Sequence, residues 1–178
     1  MPMSAVEGKE WTRGRIAALA RYDPLTVLDV GPGVGTYATL LAGLPVRMIG
    51  LEVWEPYVAT YGLAERYDEL VIGDVRTVEL PVVDVVILGD VIEHMTRADA
   101  REVWRRSAAA ARRAVYLSIP IVHYPQHELE GNPYEAHVEE DWSHDDVLAT
   151  FDGIGAYQRG EIVGVYERMT ARTTDRPV

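Results

Sequence analysis

The stretch Thr26-Val-Leu-Asp-Val-Gly-Pro-Gly-Val-Gly35 joins an apolar, β-branched run to a loop that carries three glycines. Such a run predicts a buried strand, and the glycines after it predict a tight turn into a helix. The turn places Gly31, Gly33 and Gly35 at the carboxyl end of the strand, where open α/β sheets bind ligands. The third glycine follows the first by four residues, whereas the dinucleotide-binding fingerprint places it five residues on.

Strand and helix patterns alternate on both sides of this loop. Short apolar runs predict further strands at 46–51, 70–72, 83–88 and 114–119, and two more runs at 154–159 and 161–167 predict a closing hairpin. Before the first strand, Ser4 and Glu7 are spaced as a capping box for a helix that reaches about Arg21. Later helices are expected to start at the caps Thr96 and Ser143. The alternation predicts an α/β fold, a mostly parallel sheet with helices on both faces and an antiparallel carboxyl-terminal hairpin.

Size and composition limit the function further. The chain has 178 residues, of which 48% are hydrophobic, and we expect one domain at 1–167 and a polar tail at 168–178. It has no cysteine, which excludes disulfides and cysteine-ligated metals. A net charge of −11 makes a nucleic-acid partner unexpected. We see no secretory signal and no membrane span, so we expect a cytoplasmic location. The oligomeric state is not predicted.

Three acids stand at the ends of successive predicted strands. Asp29 precedes the glycine loop, Glu52 ends the second strand and Asp74 ends the third. An acid at the place of Glu52 can bind both hydroxyls of a ribose, and Asp74 can accept a hydrogen bond from an adenine amine. A pyrophosphate is disfavoured beside Asp29, whereas a cation or an ammonium group is favoured. The set indicates an adenosine-containing ligand and argues against a dinucleotide.

These motifs together resemble those of the class I S-adenosylmethionine-dependent methyltransferases, the methyltransferase-domain family. The resembling motifs, from the first to the fifth, are residues 27–35, 50–54, 72–75, 84–95 and 115–120. The fourth motif is similar to the form found in the "E-H" subgroup of this family, because it contains Glu93 followed by His94. The resemblance covers about residues 25–167. It implies a Rossmann-like, seven-stranded sheet whose last strand is antiparallel, with S-adenosyl-L-methionine as cofactor and S-adenosyl-L-homocysteine as product.

The resemblance also implies a role for each cofactor-binding residue. Those expected around the methionine part of the cofactor are Asp29, Gly31, Gly33, Gly35, Gly89 and Asp90. Among these, Asp29 is expected near the amino group, and Gly89 is expected to offer it a carbonyl oxygen. Those expected around the nucleoside are Glu52, Val53, Trp54, Asp74 and Val75. Here Glu52 holds the ribose and Val53 or Trp54 packs on the adenine, while Asp74 and the backbone amide of Val75 bind its edge.

The histidines are the candidates for chemistry. Methyl transfer requires alignment of the acceptor with the methyl group and sometimes removal of a proton. Histidine is the natural base near neutral pH, so His94 and His137 are the predicted catalytic residues, and nearby acids are expected to favour their protonated form. The irregular segment 121–141 is long for a loop and such loops are often functional. Its residues His123, Tyr124 and Tyr134 are the predicted acceptor-binding residues.

Three functions are therefore weighed. The first is methyl transfer to an oxygen or nitrogen of a small-molecule or saccharide acceptor. The second is metal-assisted RNA ribose 2′-O-methylation, because the stretch from Asp90 to Met95 resembles the metal motif of small-RNA methyltransferases, with His137 as a distal ligand. That family has Glu where this chain has Asp90, and the basic surface is missing, so no metal is assigned. The third is a non-catalytic, cofactor-binding subunit.

Overall fold

Seven strands and five α-helices build residues 7–170, the part of the chain that the computed structural model describes. The strands are β1 (Leu25–Val30), β2 (Val46–Glu52), β3 (Glu69–Ile72), β4 (Val83–Gly89), β5 (Ala111–Pro120), β6 (Ala156–Arg159) and β7 (Val163–Met169). The helices are α1 (Lys9–Leu19), α2 (Thr36–Leu40), α3 (Pro56–Thr60), α4 (Arg97–Ala110) and α5 (His144–Thr150). Single turns of 3₁₀-helix lie at Leu63–Glu65, Ile92–His94 and Pro133–Glu135.

The strands form one sheet in the order β3-β2-β1-β4-β5-β7-β6. Strands β1 to β5 pair in parallel, and β7 is antiparallel to both β5 and β6. The chain first winds outward from β1 to β3 and then returns to the other side of β1 with β4. A crevice therefore forms where the strand order reverses, at the carboxyl ends of β1 and β4. The predicted Rossmann-like sheet with an antiparallel end is confirmed.

Alternate residues of β1 pack against helices on opposite faces of the sheet. Leu28 belongs to the core shared with α4 and α5, and Val27 to the core shared with α1, α2 and α3. On the first face Trp104 is 1% exposed, and its indole N–H donates to the backbone oxygen of Asp152 at 3.0 Å. On the second face Ile16 of α1 is fully buried. Helices on both faces were predicted from the alternation of patterns, and the two cores confirm them.

Two of the predicted helix starts are found, and one is wrong. Thr96 caps α4 by accepting from the amide of Asp99, and Ser143 forms a capping box with Asp146 at the start of α5. Helix α1 instead begins at Lys9, after Gly8. The Glu7 carboxylate accepts hydrogen bonds from the backbone N–H groups of residues 161, 162 and 163, so it caps the β6–β7 turn rather than a helix. Ser4, the other member of the predicted pair, lies outside the described residues.

The carboxyl-terminal boundary differs slightly from the expected one. Strand β7 continues to Met169, two residues beyond the expected domain end at 167, and the amide of Thr170 donates to the backbone oxygen of Arg113. The remainder of the predicted polar tail, 171–178, lies outside the described residues. Within 7–170, no helix is long and apolar enough to cross a membrane.

Candidate functional site

A cavity opens at the carboxyl ends of the parallel strands, where the strand order reverses. Its walls come from the segments that follow β1, β2, β3, β4 and β5, and from the start of β7. Residues of the long segment 121–141 also line it, including Tyr124, Gln126 and Glu135. The glycine loop and the irregular segment, which the sequence singled out separately, therefore share one cavity.

Most of the site residues predicted from the sequence line this cavity. They are Gly31, Gly33, Glu52, Val53, Asp74, Val75, Gly89, Asp90, His94, Tyr124, Tyr134 and His137. The others, Asp29, Gly35, Trp54 and His123, do not line it. Polar and aromatic lining residues that were not predicted from the sequence include Tyr37, Tyr57, Arg76, Gln126, Asn132 and Glu135. Tyr37, Tyr57 and Arg76 lie near predicted motifs in the sequence, and the other three lie within the segment 121–141. The sequence carries no other signal for them.

The glycine loop presents backbone to the cavity without side chains. Gly31 and Gly33 have φ angles of 66° and 53°, in the left-handed region that favours glycine. A Cβ at Gly31 would lie 2.8 Å from a methyl of Val91, whereas a Cβ at Gly33 would meet nothing closer than a backbone oxygen at 3.9 Å. The space beside Gly33 is thus open to a ligand. Gly35 serves the turn instead, because its Cβ would lie 3.1 Å from the Arg66 side chain.

Glu52 ends β2 with its carboxylate at the cavity wall, and it is only 3% exposed. The backbone N–H of Trp54 donates to one carboxylate oxygen at 2.8 Å, and that of Gly33 to the other at 3.4 Å. Burial raises the pKa of Glu52, and these backbone hydrogen bonds oppose the increase. The two bonds fix the carboxylate in place and leave it lone pairs for ligand hydroxyls.

Asp29 lies behind the glycine loop rather than in the cavity wall, and it is 1% exposed. The Tyr67 hydroxyl donates to its carboxylate at 2.5 Å. Burial raises the pKa of Asp29 to about 7, although the Tyr67 hydrogen bond and the Lys9 charge act in the opposite direction. Asp29 therefore has no direct contact with the cavity, and its expected place near a ligand amino group stays a prediction.

Asp74 has a cationic neighbour that the sequence argument did not include. Nε of Arg76 lies 2.9 Å from both carboxylate oxygens, and its backbone N–H also donates to Asp74 at 2.8 Å. These hydrogen bonds lower the pKa of Asp74. The carboxylate is therefore ionised near pH 7, and it still has lone pairs for an amine donor.

Asp90 follows β4 in a left-handed conformation, with φ 55°, which is uncommon for a residue other than glycine. Nζ of Lys9 donates to one carboxylate oxygen at 2.8 Å, and the Ser118 hydroxyl donates to the other at 3.0 Å. Lys9 is fully buried. Helix α1 thus contributes a charge directly behind the cavity wall, a contact that the sequence analysis missed because the partners lie 81 residues apart.

Glu93, His94 and His137 meet at the end of β4. One carboxylate oxygen of Glu93 and one ring nitrogen of each histidine lie within 4.8 Å of one another. Nδ1 of His94 is 3.2 Å from the backbone oxygen of Ala136, and Nδ1 of His137 is 2.6 Å from that of Tyr124. Burial lowers the pKa of His94 to about 4 and also lowers that of His137. The charge of Asp90 acts in the expected direction, towards the protonated imidazole, but desolvation outweighs it and the net pKa shift is downward.

Trp54 and His123, which were expected at the site, do not line the cavity. The Trp54 ring packs on Tyr134, with ring centroids 6.3 Å apart, and it is Tyr134 that faces the cavity. The buried Asn132 accepts from the amide of Tyr134 at 2.9 Å and so fixes this part of the loop. His123 pairs with Asp141 at 2.8 Å on the surface, away from the cavity.

Sequence and fold each match known proteins. Residues 28–119, half of the chain, match the profile of a family described as methyltransferase domain. No curated protein matches the sequence.

Many solved structures share the fold, and three of them are compared with this chain. The magnesium protoporphyrin IX methyltransferase of Synechocystis PCC 6803, with bound SAM, aligns over 92% of this chain and 80% of its own at 20% identity and a TM-score of 0.64. The 1,6-didemethyltoxoflavin-N1-methyltransferase of Burkholderia thailandensis, with bound 1,6-didemethyltoxoflavin and S-adenosylhomocysteine, aligns over 93% of this chain and 80% of its own, at 17% identity and a TM-score of 0.67. The N-terminal domain of EvdMO1, with SAH and D-fucose present, aligns over 94% of this chain and 84% of its own, at 16% identity and a TM-score of 0.63. With the family profile matched over half of its length, the chain belongs to the methyltransferase domain family and has the fold of the class I S-adenosylmethionine-dependent methyltransferases.

Proposed function

We propose that the protein transfers a methyl group from S-adenosylmethionine to an oxygen or nitrogen of a small-molecule or saccharide acceptor and releases S-adenosylhomocysteine. The observation that carries this proposal is the single cavity that combines the glycine loop, the Glu52 carboxylate and the histidines of the β4 end. The glycine loop and Glu52 suit a ligand in which an adenosine is joined to an amino acid. The histidines form a separate polar site beside it. A methyl donor and an acceptor are therefore able to meet within one cavity.

The nucleoside end of the cofactor fits the walls after β2 and β3. Glu52 is fixed by two backbone hydrogen bonds and has lone pairs for the ribose hydroxyls. Asp74 is ionised and suits the adenine amine, with the backbone amide of Val75 beside it. Of the two residues expected to pack on the adenine, Val53 lines the cavity and Trp54 does not, and Tyr134, held against Trp54, offers a second surface for this packing.

The methionine end fits the walls after β1 and β4. The open space beside Gly33 admits the chain of the amino acid, and Gly31 allows Val91 to approach closely. The Asp90 carboxylate at the cavity wall suits the cofactor ammonium group, as does the carbonyl oxygen of Gly89. Lys9 and Ser118 hold that carboxylate from behind.

The acceptor is then expected beside Glu93, His94 and His137, with Tyr124 in the same wall. The adjacent Glu93 and His94 support the E-H subgroup. A histidine whose pKa is about 4 is a weak base for a hydroxyl proton. The two imidazoles are thus better suited to orienting the acceptor than to removing a strongly held proton. The three neighbours support a small-molecule acceptor: the first is named for magnesium protoporphyrin IX, the second has 1,6-didemethyltoxoflavin bound, and the third was crystallised in the presence of D-fucose.

The metal-assisted alternative has one observation in its favour. Glu93, His94 and His137 include the residue types that hold divalent ions, and they lie together. An RNA acceptor is disfavoured by the net charge of −11 and by the carboxylates that line the cavity. Loss of activity in a chelator, restored by an added divalent ion and seen only with RNA oligomers, would replace the leading proposal with this one.

Calorimetry with S-adenosylhomocysteine tests the leading proposal. Glu52→Ala leaves the ribose hydroxyls without their acceptor, which costs about 1–3 kcal/mol, or about 5- to 150-fold in affinity. Glu69→Ala is the matched control, because Glu69 is a half-exposed acid on β3 paired with Arg47 outside the cavity. Equal affinity in both variants would show that the ribose lies elsewhere, and no binding by the unaltered protein would reject the proposal. A non-catalytic subunit would bind the product but methylate no member of an acceptor screen.

A further inference from the structure

We propose that the methyl acceptor is an amine, held as its ammonium ion by Glu93, His94 and His137 and methylated on nitrogen. This inference rests on the proposed function and names the acceptor class for the same site. It is carried by four observations: an unpartnered buried carboxylate, two oriented imidazoles, the distance between their polar atoms and the charge of the cavity wall.

The Glu93 carboxylate is buried and incompletely satisfied. Glu93 is 1% exposed and lines the cavity, and no donor in the described residues reaches its Oε2. A buried oxygen that lacks a donor costs free energy relative to its hydrated form. Glu93 lines the cavity, so a ligand in the cavity is the donor that we assign to this carboxylate. A cation with N–H groups supplies both the missing hydrogen bond and the compensating charge.

The two histidines present lone pairs rather than protons. The backbone oxygens of Ala136 and Tyr124 only accept hydrogen bonds, so the Nδ1 atoms that contact them must carry the hydrogens. In a neutral imidazole the other nitrogen, Nε2, then has a free lone pair. His94 and His137 therefore act as hydrogen-bond acceptors. Burial and the charge of Asp90 raise the pKa of Glu93, and a cation bound beside it opposes this increase and keeps Glu93 ionised as the third acceptor.

The spacing of these acceptors suits an ammonium ion. The three polar atoms lie within 4.8 Å of one another. Three acceptors that each receive an N–H at about 2.9 Å from a tetrahedral nitrogen are about 4.7 Å apart. Ligands of a divalent ion at about 2.0–2.2 Å must approach to about 3.0–3.6 Å of one another. The upper limit of 4.8 Å matches the separation that an ammonium ion requires. A metal requires the three atoms to lie closer together than this limit.

The charge of the cavity favours nitrogen over oxygen as the nucleophile. The lining carboxylates are those of Glu52, Asp74, Asp90, Glu93 and Glu135. Against them, the lining residues include one guanidinium, that of Arg76, which is already paired with Asp74. Such surroundings attract a positively charged acceptor and oppose the formation of an alkoxide. Transfer to an amine keeps one positive charge in the cavity, because the charge leaves sulfur and appears on nitrogen.

The reaction balances with the groups present. The ammonium gives one proton to the Glu93 carboxylate, which converts a buried ion pair into two neutral groups. The freed nitrogen lone pair forms the N–C bond with the methyl carbon as the C–S bond breaks, and the electron pair of that bond returns to sulfur. S-adenosylhomocysteine and a methylated ammonium ion are formed, and Glu93 releases its proton to water as the product leaves.

Paired probes test the inference. The protein saturated with S-adenosylhomocysteine is titrated with n-propylamine and n-propanol, and with glucosamine and glucose, while the ring C–H signals of His94 and His137 are followed by NMR. The amines should shift both signals, and the alcohol and glucose should not. Glu93→Gln should weaken amine binding at least about tenfold. Glu139→Gln should leave it unchanged, since Glu139 pairs with Arg97 outside the cavity.

Methylation assays then complete the test. With S-adenosylmethionine, the methylated members of an acceptor panel should be amines modified on nitrogen. Methylation confined to hydroxyls overturns the inference, as does an activity that a chelator abolishes and Zn²⁺ or Mg²⁺ restores. Calorimetry separates the two levels, because failure to bind S-adenosylhomocysteine removes the proposed function itself. Binding accompanied by oxygen methylation removes the amine alone.

Discussion

Gly33 offers a test of the cofactor site in which strain and steric exclusion are separable. Its φ of 53° places an alanine in the left-handed region, which costs about 1–2 kcal/mol. A Cβ there meets no protein atom closer than 3.9 Å, so the substitution adds no clash within the folded chain. Unfolding free energy should therefore fall by about 1–2 kcal/mol, and the melting temperature by about 2–8 °C.

Cofactor binding should fall much further than stability suggests. The added methyl projects into the open space that the cofactor chain requires, and carbon atoms need about 3.5–4.0 Å between them. Gly33→Ala should lose at least about tenfold in affinity for S-adenosylhomocysteine, equivalent to about 1.4 kcal/mol. The larger Gly33→Val should abolish binding while the chain still folds.

The matched control is Gly62→Ala. Gly62 has a φ of 60°, nothing lies within 4 Å of its built Cβ, and it does not line the cavity. Thermal unfolding should show similar losses for the two alanine variants, whereas calorimetry should show weakened binding for Gly33→Ala only. Equal affinities in the two variants would refute our placement of the cofactor against the glycine loop.

Two further substitutions test the buried charges behind the cavity. Because the pKa of Asp29 is raised from 3.8 to about 7 in the folded chain, its ionisation lowers the unfolding free energy as pH rises between these values. Asp29→Asn should thus be more stable than the unaltered protein at pH 7.5, by up to about 4 kcal/mol, and nearly equal to it at pH 4; urea unfolding at both values checks this, and a pH-independent difference would contradict it. Lys9→Met removes the buried cation that faces Asp90 and should cost about 3 kcal/mol, with partial recovery in the double variant Lys9→Met, Asp90→Asn. Arg47→Met breaks an exposed ion pair and should lower the unfolding free energy by less than about 1 kcal/mol. Equal losses for Lys9→Met and Arg47→Met would show that the buried ion pair contributes no more than an exposed one.

Local patterns predicted the frame of the molecule because that frame is built from local signals. Strands β1 and β4 are buried on both faces of the sheet, so most of their residues are apolar. Thr96 and Ser143 cap helices with side chains that reach only three residues forward. The glycine loop and Glu52 follow directly from strand ends. The glycine loop and Glu52 line one cavity because parallel strands place their carboxyl ends at the same edge of the sheet.

The site residues that were misplaced depend on contacts between distant parts of the chain. Asp29 alternates with Leu28, so it shares the face of Val27 and meets Tyr67 there, 38 residues away. That direction follows from strand alternation, but the partner does not. Lys9 is an ordinary polar residue in a helical pattern until it is brought to Asp90. The segment 121–141 has no period, and so nothing in it marks Glu135 as a cavity residue.

The contacts of the amino-terminal segment affect the order in which the molecule is completed. Glu7 hydrogen-bonds to residues 161–163, and Arg15 of α1 pairs with Glu167 of β7, a separation of 152 residues. Ile162 and Val163 are also part of the cavity wall. Contacts at such separation form late, because a long loop must close before they are gained. During synthesis the contacts between α1 and β7 therefore form only after β7 has emerged, and the cavity is finished only when the last strand enters the sheet between β5 and β6.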